Sequence, residues 1–147
     1  MLTDDQMASL LAAARSAADR AYAPYSGFAV GAALLTADGA VITGGNVENA
    51  SYGLTICAER SAIVAAVAAG HREVMAIAVS APGAPGTTPC GACRQVLNEF
   101  VPRDGELVIL LDGDAGIEAI RLSDLLPRAF GPRSLDRERA ISHTDGE

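Results

Sequence analysis

The chain has 147 residues, half of them hydrophobic and 20% charged, with a formal net charge of −7. That composition suits one folded domain with its own core and excludes an intrinsically disordered chain. All eleven basic residues are arginines, scattered without a cluster, which argues against a phosphate-backbone footprint and so against nucleic acid as a routine partner.

The opening MLTDDQM is acidic where a secretory leader requires positive charge. The longest apolar runs, FAVGAALL and IVAAVAAG, fall well short of the about 20 residues that span a bilayer. The expectation is a cytoplasmic protein with no membrane partner. Three cysteines cannot all pair within one chain, and a reducing compartment disfavours disulfides, so metal binding or catalysis becomes the better explanation for them.

Thr3-x-x-Gln6 is a capping-box pattern, and Met7, Leu10, Leu11, Ala14, Ala18 and Ala21 recur at helical spacing. The first helix is predicted from about Asp4 to Ala21. APYSG breaks it, and FAVGAALLTA and AVITGGNVE read as two strands joined at Asp38-Gly39, a hairpin turn signal. Cys57 to Ala69 reads as a helix apolar nearly all round after Arg60 and therefore buried, with Gly70 as its stop. EVMAIAVSA is a strand, residues 82–89 a Pro/Gly-rich loop, and a short helix opens near Cys90 and runs to Phe100. ELVILLD is a further strand, GIEAIRL a candidate strand, and LSDLLPRAF a last short helix. Strands alternating with helices predict an α/β fold, a mixed sheet covered by helices. Residues 1–133 read as a single domain, and 134–147 as a polar, charged tail expected to be loose.

The thiols fall into two clusters. Cys57 stands in CAERSA, and Cys90 and Cys93 stand in PCGACRQ, 33 residues on. A C-x-x-C redox pair would leave Cys57 and Glu59 unexplained. Zinc accounts for all three, because thiolates are its favoured ligands and one turn can supply two of them. Cys57 and Cys90 both fall where a helix should begin, and the partial positive charge there favours the thiolate. A structural site takes four protein ligands, whereas a catalytic site leaves one position to water. His71 lies beyond the far end of the helix that Cys57 starts, about 21 Å away at 1.5 Å per residue, and His143 lies in the tail. Water is the expected fourth partner, with Glu59 the candidate if a carboxylate closes the site instead. Beside zinc-activated water, Glu59 has an evident use as a proton acceptor and donor. Asn46 and Glu48, if NVEN ends a strand, point to one face, where an amide and a carboxylate could both donate to and accept from a sugar hydroxyl.

Together with AYAPYSGFAVGAAL, GGNVENASYG and LLPRAF, in order and spacing, these segments resemble the small homotetrameric cytidine deaminases over about residues 20 to 130. Zinc deaminases carry H-x-E with P-C-x-x-C, and some replace the His by Cys; this chain has C-x-E. The resemblance implies a three-layer α/β/α sandwich on a mixed five-stranded sheet. It also implies one zinc per chain, held by Cys57, Cys90 and Cys93, and Glu59 as the catalytic proton shuttle. Arg60 would donate to the thiolates and draw charge off them, with Arg94 a weaker second candidate. Asn46 and Glu48 would hold the ribose, Phe28 would pack on the pyrimidine, and Ala58 would line the substrate. Tyr52 and Phe130 would reach a neighbouring subunit's site in a homotetramer. The implied activity is hydrolytic deamination of cytidine and 2′-deoxycytidine in pyrimidine salvage. The rivals are a deaminase of a modified nucleoside such as blasticidin S, an editing deaminase of RNA or DNA, and a non-catalytic zinc-stabilised binding module.

Overall fold

The structure is a computed structural model that describes residues 2–135. Helix α1 (Asp4–Ala18) opens on the expected capping box: Thr3 Oγ1 accepts from the Gln6 N–H at 3.2 Å, and Gln6 Oε1 accepts from the Thr3 N–H at 2.9 Å. It stops at Ala18 rather than Ala21. The chain there must turn so that the Tyr22 N–H can reach the Asn46 carbonyl at 2.9 Å.

Strands β1 (Gly31–Thr36) and β2 (Val41–Gly45) form the expected antiparallel hairpin, with Gly39 at φ +87° in its turn. Helix α2 (Ala58–Ala68) follows, then β3 (Val74–Ser80), α3 (Gly91–Glu99), β4 (Val108–Gly113), β5 (Gly116–Arg121) and α4 (Leu122–Leu125). The last helix is shorter than LSDLLPRAF suggested. A residue before proline is pushed out of the α region, and Leu126, before Pro127, has φ −137°.

The five strands form one mixed sheet in the order β2-β1-β3-β4-β5. Only β3 and β4 are parallel, and α3 lies in the crossover between them. Alternation along each strand sorts the core into two layers. Ala32, Leu34, Ile77, Val79, Ile109 and Leu111 face Ala58, Ala62, Ile63, Ala66 and Leu97 of α2 and α3. Ala33, Ala76, Ala78 and Leu110 face Leu10, Leu11 and Ala14 of α1. This is the three-layer α/β/α sandwich. Its central strands β1, β3 and β4 read as nearly continuous apolar runs because helices cover both faces.

Two glycines let the helices lie close. A Cβ at Gly31 would collide with the Ala14 carbonyl of α1, and one at Gly44 would sit 2.5 Å from the Ala62 nitrogen of α2. Helix α2 is not buried on all sides as expected. It forms an outer layer of the sandwich, so Val64, 66% exposed, faces away from the sheet.

Candidate metal centre

Helices α2 and α3 begin side by side. Cys57 is the N-cap of α2 and Cys90 the N-cap of α3, and neither sulfur makes a capping hydrogen bond to its own helix. Cys93 lies in the first turn of α3 and is buried. The three sulfurs lie within 4.8 Å of one another, and those of Cys57 and Cys90 are 3.9 Å apart. A disulfide requires about 2.05 Å, and all three cysteines are free. Tetrahedral zinc with bonds of about 2.3 Å sets its sulfurs about 3.8 Å apart, so the spacing fits zinc at three corners of a tetrahedron.

Among the described residues, no histidine or carboxylate joins the three sulfurs as a fourth ligand. The Glu59 carboxylate does not lie within 4.8 Å of all three sulfurs. His71 is engaged elsewhere, its Nδ1 3.0 Å from Asp38 Oδ2. His143 lies outside the described residues.

The electrostatics match that donor set. Burial pushes the Cys93 thiol well above its ordinary pKa, and the negative charge of Glu59 adds to the effect; a divalent cation would offset both. Burial works the same way on Cys90, but the Cys93 backbone N–H and the neighbouring sulfurs outweigh it and bring that thiol below its ordinary value. Arg60 Nη2 donates to Cys57 Sγ at 3.3 Å. Its contacts with Cys57, and next with Cys93, hold the guanidinium more firmly charged than usual. Its Nε is buried without a hydrogen-bond partner. Glu59 is only 5% exposed, and burial pushes its carboxyl above the usual range, while its own backbone N–H, the Cys93 thiol and Arg60 pull it back. A carboxyl raised in this way is better matched to taking and giving a proton near neutral pH.

The other expected site residues surround these helix ends. Strand β2 stops at Gly45, so Asn46 and Glu48 flank a single bridge residue instead of ending a strand. Val47 between them exchanges two 2.9 Å backbone hydrogen bonds with Ile56, next to Cys57. Their side chains hold the 22–30 loop. Asn46 accepts from the Val30 N–H and donates to the Phe28 carbonyl, both at 2.8 Å. Glu48 Oε1 accepts from the N–H groups of Tyr25 and Ser26 at 3.0 and 3.1 Å. The Ser26 backbone bond first, and after the opposing effect of burial the Ser26 side chain and the Tyr25 N–H, hold the Glu48 carboxyl below its ordinary pKa.

Phe28 is 40% exposed and faces Gly83 in the loop leading to Cys90, where an added Cβ would touch its ring at 3.7 Å. Ala58 is fully buried in the first turn of α2. Tyr52 and Phe130 are 74% and 62% exposed. Tyr52 stacks at a tilt on Tyr25, with ring centroids 5.7 Å apart.

Arg94 does not serve the thiolates as expected. Its three guanidinium nitrogens donate to the Pro89 carbonyl, the Leu125 carbonyl and Thr88 Oγ1. The sequence signal for this was its place one helical turn after Cys90, from which a side chain tilts back toward the helix N-terminus. The loop clamp made by Glu48 was also missed, since the carboxylate and the N–H groups it binds are more than twenty residues apart.

Residues 4–110 match the family model described as the cytidine and deoxycytidylate deaminase zinc-binding region. The chain is 53% identical over 128 residues to the cytidine deaminase of Halalkalibacterium halodurans, covering 86% of this chain and 94% of that one. It is 49% identical over 126 residues to the cytidine deaminase of Mycobacterium tuberculosis, covering 86% and 90%. The crystal structure of cytidine deaminase from Burkholderia pseudomallei superposes with a TM-score of 0.76 at 48% identity, covering 88% of this chain and all of that one.

Proposed function

Because the chain belongs to the cytidine and deoxycytidylate deaminase family, we propose that it converts cytidine and 2′-deoxycytidine, with one water, into uridine and 2′-deoxyuridine plus ammonia. The observation that carries this reading is the convergence of Cys57, Cys90 and Cys93 within 4.8 Å beside the buried Glu59, with no fourth protein ligand among the described residues. A non-catalytic zinc module would need that fourth ligand.

Cys57, Cys90 and Cys93 would hold zinc, which would supply Lewis acidity for activating a water near neutral pH. Glu59 takes one proton of the attacking water and passes it to N3 as the new C4–O bond forms. Glu59 then carries the second proton from that oxygen to the 4-amino group, so that the C4–N bond breaks, ammonia leaves and C4=O remains. Its burial keeps the carboxyl close to the proton's path and out of bulk solvent. Arg60 draws charge off Cys57, which counters the excess negative charge of three thiolates.

Phe28 packs on the pyrimidine, and Ala58 lines its other side. Asn46 and Glu48 meet the ribose with the hydrogen-bonding capacity that the 22–30 loop leaves free. Both residues are held in place by that loop, so the sugar meets a preorganised pair. A chain taken alone leaves the site open: Cys90, Tyr52 and Phe130 are all exposed. We therefore read the enzyme as a homotetramer in which Tyr52 and Phe130 of each subunit complete a neighbour's site. We read residues 1–133 as the deaminase domain; residues 136–147 of the expected tail lie outside the described residues.

No helix among the described residues is long and apolar enough to cross a membrane. We read the enzyme as a cytoplasmic one of pyrimidine salvage, and its acidic charge weighs against nucleic acid as a substrate. The test is kcat/KM for cytidine, deoxycytidine, blasticidin S, cytosine and cytidine monophosphate under one set of conditions. The two nucleosides should be used well and the other three poorly. Preference for blasticidin S, or efficient turnover of the free base or monophosphate, would overturn the substrate assignment.

A further inference from the structure

We propose that Arg94 is a positioning residue that fixes the exposed ligand Cys90 by tethering the turn in front of α3. The inference rests on the reading of the three thiols as zinc ligands and adds a residue that touches neither metal nor substrate.

The two ligands from α3 are held differently. Cys93 is fully buried, so packing sets its position. Cys90 is exposed and makes no capping bond, so its sulfur goes where the backbone sends it. The Arg94 N–H makes the ordinary first-turn helix bond to the Cys90 carbonyl at 2.9 Å, as any residue there would. Its side chain acts on the other side of Cys90, where Nε donates to the Pro89 carbonyl at 2.7 Å. The Pro89 carbonyl lies in the peptide plane that enters Cys90, so fixing it fixes the direction in which the Cys90 side chain leaves the chain. Nη2 steadies the same turn through Thr88 Oγ1 at 2.9 Å, and Nη1 anchors it to the Leu125 carbonyl at 3.0 Å.

All three acceptors of the guanidinium are neutral. Its contribution is therefore the rigid, three-way donor fork rather than its charge, and lysine supplies the charge without the fork.

The test is the rate at which zinc-loaded protein gives up its metal to a coloured chelator. Residues that orient metal ligands typically contribute about 10–100-fold to metal affinity. Arg94→Gln and Arg94→Lys should each release zinc faster by about that factor, and Thr88→Val, which removes one acceptor, should do so by less. Release from Arg94→Gln at the wild-type rate overturns the proposal. So does restoration of the wild-type rate by Arg94→Lys, which would assign the effect to charge. Should neither Arg94 variant fold, Thr88→Val decides, since an unchanged rate there also overturns it. A wild-type chain that holds no stoichiometric zinc would instead overturn the underlying reading of the thiols.

Discussion

The sulfurs of Cys57 and Cys90 stand 3.9 Å apart at the first turns of two different helices. Two thiolates at that distance repel unless a cation lies between them. Removing one should therefore release the metal rather than leave a weaker site. Cys90→Ala is expected to lose both zinc and activity. Zinc can supply about 10–16 kcal/mol of folding energy in small zinc peptides, but here the core is two hydrophobic layers that contain none of the three cysteines. The circular dichroism spectrum of Cys90→Ala should stay close to wild type while metal analysis reads near zero.

Glu59 should separate chemistry from metal binding. A general acid–base group contributes about 10²–10⁴-fold, and Glu59 serves several proton transfers per turnover. Glu59→Ala should reach or pass the upper end of that range in kcat while keeping one zinc per chain. Loss of the metal in this variant would make Glu59 a ligand and the site structural.

Gly44 is the contact on which α2 rests. A Cβ there meets the Ala62 nitrogen at 2.5 Å and the Ala58 carbonyl at 2.8 Å, backbone atoms that cannot rotate away. Gly44→Ala should cost at least the about 1–3 kcal/mol of core overpacking. It should also lower activity by moving Cys57 and Glu59 with the helix. Gly53→Ala, where nothing lies within 4 Å, should leave the Tm nearly unchanged. Equal Tm values for the two variants would contradict this account of the packing.

Asp112 links three elements on the α1 side of the sheet. Its carboxylate accepts from Arg15 Nε at 2.9 Å and from the buried Ser80 hydroxyl at 2.7 Å. Arg15 first, and Ser80 after the opposing effect of burial, hold the Asp112 carboxyl below its ordinary pKa. A carboxyl with a lowered folded-state pKa binds fewer protons folded than unfolded. Its stabilisation is thus present above the ordinary carboxylate pKa and lost as pH falls through the folded value. Asp112→Ala strands the Ser80 hydroxyl, which costs about 1–3 kcal/mol; the half-exposed Arg15 pair adds little. The Tm gap between wild type and Asp112→Ala should be widest near neutral pH and narrow below about pH 4. A gap that grows on acidification would contradict the sign of this linkage.

Phe130 tests the assembly. Its carbonyl accepts from Gln95 Nε2 and Asn98 Nδ2 of α3 at 2.9 and 3.2 Å, so the backbone is anchored while the ring stays 62% exposed. Phe130→Ala should weaken catalysis or tetramer formation with little change in the stability of the monomer fold. Full activity from a species that sediments as a monomer would rule out shared sites.

Much of this molecule was legible in its sequence because its strongest signals are local. The Thr3/Gln6 capping box, the Asp38-Gly39 turn and the C-x-E and C-x-x-C spacings each act within one helical turn or one hairpin. What escaped depends on where the chain goes next. The end of α1 is set by the pairing of Tyr22 with Asn46, and the exposed side of α2 by its place as an outer layer. The partners of Glu48, and the Leu125 carbonyl that Arg94 reaches, lie in distant segments, and no spacing along the chain encodes them.

The central claim is that three cysteines and Glu59 make a zinc-dependent cytidine deaminase, and the most direct measurement is the absorbance change as cytidine becomes uridine. The assay is run on protein as prepared, after removal of metal by a chelator, and after zinc is returned. The account predicts turnover in the first sample, loss in the second and recovery in the third, with about one zinc per chain in the active samples. Full turnover by metal-free protein, or no turnover of cytidine by protein carrying one zinc per chain, would contradict it.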